Sequence, residues 1–168
     1  MRSRLPELRA TWESIEPVMA QAVRELTRKA FSPTGKVRLT ICDVASNSFF
    51  GATVNMRYAL QSFSSTPVPL RYKLDTAFHE LLHEFVARHT PANSGLLLLH
   101  AAEPYCVRSH LHLLALQKAV LVRLGEKDAL AQVISTDSRL PSGCYRRAWA
   151  LVNETDSHYL QYISELAQ

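Results

Sequence analysis

The pentapeptide His79-Glu80-Leu81-Leu82-His83 constrains this chain more than any other feature. Its apolar neighbours Leu74, Phe78, Leu81, Leu82 and Phe85 recur at helical steps, so the spacing predicts a helix over about 76–89, capped by Asp75 or Thr76. On that helix His79 and His83 lie one above the other, because residues four apart share a face. Both imidazoles can then reach a single zinc ion. Glu80 sits about 100° further round. It is turned too far to be a third ligand, but it can take a proton from a water held by the metal.

The rest of the chain supplies context for that helix. Residues 6–30 read as an amphipathic helix, with Leu8, Trp12, Ile15, Met19, Val23 and Leu26 at steps of three and four. Pro6 suits its first turn and Pro17 should kink its middle. Ser32-Pro33-Thr34-Gly35 ends it. Residues 37–42 alternate and are β-branched, which predicts a strand with one buried face. Residues 49–60 offer one or two more strands, with Gly51 as a bulge or bend. Residues 62–69 form a loop with two prolines, and 70–73 a short extended piece. Beyond the break at 90–95 the chain reads as helical over about 96–102, 105–124, 126–134 and 142–166, the last interrupted near 153–156.

With 168 residues, 47% of them hydrophobic, residues 1–168 are expected to form one domain with its own core. Charge follows Met1 directly, and Leu5-Pro6-Glu7 stands where a signal peptide would have an apolar run. No apolar stretch is long enough to span a bilayer. Cys42, Cys106 and Cys144 are odd in number and far apart. This argues against a disulfide framework and for a reducing, cytoplasmic setting, with Cys106 a buried structural thiol. The net charge of +4 is spread along the chain, so a nucleic-acid surface is permitted but not indicated. Residues 111–124 read as a buried helix, with a homodimer face as the alternative.

The order of helix, small sheet, His-Glu-x-x-His helix and helical C-terminal part resembles the zincin metallopeptidases over residues 37–125. The resemblance implies an α+β fold of zincin type. It also implies Zn²⁺ as cofactor, a peptide or protein as substrate, Glu80 as general base, and an edge strand that binds substrate in extended form. A regulatory partner would fit a protease of this kind.

A catalytic zinc has three protein ligands and one open position, and four residues compete for the third place. Glu103 lies 20 residues after His83, the spacing of the gluzincin branch, although Pro104 sets it at the start of the next helix rather than inside it. His110, seven residues further and on the same face, is either the ligand or a proton donor to the oxyanion. His112 points about 200° away from it. His89 has the metzincin spacing, but Val86 stands where that branch has glycine, so the helix should carry His89 away. His100 sits in an apolar stretch and reads as a core or edge residue. Tyr105 and Tyr145 are both candidate oxyanion donors, with nothing in the sequence to choose between them. Two other functions remain beside the peptidase: a non-catalytic zinc-binding regulatory protein, and a zinc-free helical interaction module.

Overall fold

The computed structural model describes residues 2–33, 36–49 and 51–168. Thr34, Gly35 and Phe50, which belong to the expected first break and second strand region, lie outside the described residues. The described fold is mostly helical, with a two-stranded parallel sheet.

Helix α1 (Leu5–Thr27) buries Leu8, Met19, Val23 and Thr27, spaced 11, 4 and 4 residues apart and so on one face. It runs through Pro17, which is exposed, so the hydrogen bond that proline cannot donate is given up where water replaces it. It stops at Arg28, whose backbone is left-handed (φ 57°) and whose N–H closes on the Arg24 carbonyl at 2.8 Å.

Strands β1 (Arg38–Thr40) and β2 (Thr53–Asn55) pair in parallel, Leu39 opposite Val54. Both are shorter than expected. The described residues between the strands, 41–49, 51 and 52, belong to the crossover that parallel pairing needs, and Gly51 has φ 83°. Buried Asn55 ties that crossover down: its Nδ2 donates to the Val44 carbonyl at 2.6 Å, and its backbone N–H to Ser46 Oγ at 3.0 Å.

Helix α2 (Leu70–His89) starts six residues earlier than the sequence suggested. Residues 70–73 are helical rather than extended because Pro69 forms the N-terminal boundary, where its missing N–H costs nothing. Arg71 and Asp75 then pair across one turn at 3.2 Å. Thr76 caps nothing and donates back to the Tyr72 carbonyl at 2.8 Å. The helix is buried on most of its circumference, from Tyr72 through Val86.

Ser94 caps the short α3 (Gly95–Leu99), accepting from Leu97 N at 3.1 Å. Helix α4 (Tyr105–Arg123) is the axis of the second half: residues 111–121 are all buried, while Val122 and Arg123 at the end of the same run are exposed. Around it pack α5 (Lys127–Asp137), α6 (Cys144–Val152) and α7 (Tyr159–Leu166). Two polar networks, one buried and one partly buried, lock these layers. Asp137 accepts from Tyr72 Oη at 2.8 Å and from Trp149 Nε1 at 3.0 Å. Glu165 accepts from Ser94 Oγ at 2.5 Å, Leu96 N at 3.1 Å and His112 Nε2 at 2.8 Å.

The expectation drawn from the cysteine count fails. Cys106 and Cys144 form a disulfide that joins the first turns of α4 and α6, and Cys42 alone is free and exposed. Two helices that start side by side bring together residues 38 apart in sequence. The case for a reducing compartment, which rested on unpaired thiols, goes with it. Among the described residues no helix is long and apolar enough to cross a membrane.

Candidate metal centre

Phe78, Leu82, Phe85 and Val86 press α2 into the core and fix its rotation. That rotation turns His79 and His83 towards α4, where His110 meets them. One ligand nitrogen from each of the three imidazoles lies within 4.8 Å of the other two, so His79, His83 and His110 are positioned to bind a metal ion. The rings stand 5.0–5.5 Å apart, His79 stacked on His110 and His83 edge-on to both.

Two of the three are oriented from behind. His79 Nδ1 lies 3.0 Å from Gln117 Oε1, while Gln117 Nε2 donates to the Asp75 carbonyl at 3.3 Å. The amide is thereby fixed with its oxygen towards His79, so Nδ1 carries the proton and Nε2 keeps its lone pair. His110 Nδ1 lies 2.7 Å from the Cys106 carbonyl, which again leaves Nε2 free. Oxygen acceptors behind ligand imidazoles are how proteins hold metal-binding histidines.

The electrostatics suit neutral donors. Burial, then the charges of His83 and His110, holds His79 well below the ordinary histidine range. Burial and His110 bring His83 down to about 4, and burial lowers His110. All three are unprotonated at neutral pH, as coordination requires.

Glu80 stands beside them, 5% exposed, with one carboxylate oxygen 3.8 Å from His83 Nε2. Burial pushes its carboxyl up to about 7. It faces a cleft of about 340 Å³ whose walls include Asn55, Tyr58, Lys73, Thr76 and Tyr145. Tyr145 Oη reaches His79 Nε2 at 3.3 Å, and its ring packs on His110 at 4.6 Å. Burial, with the charges of Glu80 and Asp137, raises its pKa, so the phenol remains a donor.

The other candidate ligands go elsewhere. Pro104 forms the boundary of α4, which leaves Glu103 in the preceding turn, where Arg147 of α6 takes its carboxylate at 2.5 and 2.9 Å. Glu103 is not among the clustered ligands. The helix continues through Val86 and carries His89 onto the Phe85 ring, 4.5 Å between centroids. His100 Nε2 meets Tyr162 Oη at 3.3 Å, and His112 is held by Glu165 on the opposite side of α4. Tyr105 is 78% exposed, so of the two tyrosines only Tyr145 faces the centre.

Gln117 was missed by sequence reasoning, yet a signal existed: it lies two turns after His110 on one face of α4, towards α2. Comparison with protein families, with curated proteins and with solved structures finds no match to this chain.

Proposed function

We propose that this chain is a zinc-dependent peptidase of zincin type, with His79, His83 and His110 as metal ligands and Glu80 as general base. The observation that carries the reading is the buried Glu80 carboxylate, 3.8 Å from His83 Nε2, beside a three-histidine cluster whose His79 lines the same open cleft as Glu80. A three-histidine set leaves one coordination position open, as catalytic zinc sites do. When bound, zinc would supply Lewis acidity, lowering the pKa of water toward about 7 and polarising the scissile carbonyl.

The chain's own groups do the remaining work. Glu80 takes the proton from the attacking water and returns it to the leaving amine. Its carboxyl, lifted to about 7, is suited to both transfers near neutrality. Tyr145 Oη, in the same cleft beside His79, donates to the oxygen of the tetrahedral intermediate. Gln117 and the Cys106 carbonyl keep His79 and His110 in the required tautomer. Asn55 and the crossover it anchors form the wall along which an extended peptide would lie.

The test is zinc content by elemental analysis of protein prepared without chelator, followed by peptide hydrolysis beside Glu80→Gln. One zinc per chain and hydrolysis lost in Glu80→Gln support the proposal. Zinc without hydrolysis would favour a non-catalytic metal-binding protein. No zinc, even after reconstitution, would leave a helical interaction module.

A further inference from the structure

Lys73 is 6% exposed, lines the cleft, and has no carboxylate within ion-pair distance among the described residues. Its ammonium lies over the rings of Tyr72 and Tyr58, 5.4 and 5.8 Å from their centroids. Aromatic faces hold a cation in place without neutralising it. The nearest buried acid, Asp137, acts on Lys73 only through its field, because Tyr72 and Trp149 occupy its two oxygens. Asp43 lies on the exposed rim of the same cleft and is not in ion-pair contact with Lys73. Burying an ammonium without a contact partner is costly. Here the charge, without a carboxylate partner, sits at the wall of the cleft over two rings, Tyr58 and Tyr72, that line the same cleft. Burial draws its pKa down only to about 8, so it is still mostly charged at neutral pH.

Position along α2 gives the reach. Lys73 precedes Glu80 by seven residues, two turns on one face, or about 10 Å along the axis. An extended peptide covers that distance in about three residues. Resting on the peptidase reading for the bond that is cut, we propose that Lys73 is a substrate-recognition residue that pairs with a carboxylate two to three residues from the scissile bond. The carboxylate is either an acidic side chain or the free C-terminus of a short peptide. Tyr58 and Tyr72 flank it and hold the lysine in place.

The test is peptide binding, followed by fluorescence anisotropy, so that it does not depend on turnover. The probes are labelled pentapeptide mixtures with Glu, Gln, Ala or Lys fixed at each position, each made as C-terminal acid and C-terminal amide. They are titrated into zinc-loaded Glu80→Gln protein and into metal-free wild type, each with and without Lys73→Met or Lys73→Arg. We expect a carboxylate to tighten binding about tenfold or more. Lys73→Met, which keeps the stem, should abolish that preference, and Lys73→Arg should retain it. A Glu-over-Gln preference identifies the side chain as the source, and acid over amide the C-terminus. A preference unchanged in Lys73→Met, or no carboxylate preference in any mixture, overturns the proposal. Persistence in metal-free protein separates Lys73 from carboxylate binding at zinc. If Lys73-dependent binding survives while wild type holds no zinc or cleaves nothing, the peptidase reading has failed and this one has not.

Discussion

Gln117 holds His79 from across the helix interface, its amide oxygen 3.0 Å from Nδ1 and its amide nitrogen on the Asp75 carbonyl. It belongs to α4 and the histidine to α2, so one side chain sets both the tautomer of a ligand and the register of two helices. Gln117→Leu should lower zinc affinity about 10–100-fold, the usual effect of losing an outer partner. Gln117→Glu, which keeps an acceptor, should lose much less. Competition against a chromophoric chelator measures both, and equal affinity in wild type and Gln117→Leu would remove the orienting role.

The third ligand separates cleanly by mutation. His110→Ala should bring zinc content close to zero in dialysed protein, as His79→Ala and His83→Ala should. Glu103→Ala should leave it at one per chain, because Arg147 and not the metal centre engages that carboxylate. The reverse pattern would restore Glu103 as the ligand.

Burial lifts the Glu80 carboxyl from its ordinary 4.5 to about 7, so the folded chain keeps a proton that the unfolded chain releases. That preference favours folding at low pH and is lost as pH rises through about 7. In metal-free protein, Glu80→Gln should therefore be more stable than wild type by on the order of 2–3 kcal/mol at pH 8. The gain should fall below about 1 kcal/mol by pH 5. Urea denaturation at the two values tests this. Saturating zinc should shrink the gain at pH 8, because the cation favours the carboxylate.

The bridge between Cys106 and Cys144 predicts one reactive thiol, Cys42, in denatured unreduced protein and three after reduction. Reduction, or Cys144→Ser, should cost about 3–4 kcal/mol of stability for a loop of 38 residues. It should also weaken zinc binding, since Cys106 supplies the carbonyl that orients His110 and Cys144 adjoins Tyr145. Three reactive thiols before reduction would show the bridge to be absent.

How far the sequence could be read depended on whether a feature was local. The spacing of Phe78, Leu82 and Phe85 was enough to orient His79 and His83, because a helix fixes side-chain direction over a few residues. The helical C-terminal half and the break near 153–156 were legible for the same reason. The N-terminal boundary of α2 was misread: two prolines signalled a loop, and Pro69 in fact opens the helix. Parallel pairing of two three-residue strands leaves almost no pattern to find. The third ligand stayed ambiguous because Glu103 and His110 share a face on paper, and only the actual start of α4 separates them. The disulfide and the Lys73 environment depend on how distant elements pack, which no short window contains.

Glu165, in the last helix, receives Leu96 of α3, the α3 cap Ser94, and His112 of α4, two positions beyond His110. The centre is consequently not a portable cassette. A designer who transplanted α2 and α4 onto another scaffold would carry all three imidazoles and Glu80. The carboxylate that anchors the back of α4 would be left behind, and a buried His112 would have no acceptor in the new host. Moving the chemistry means moving the final turn of α7 with it.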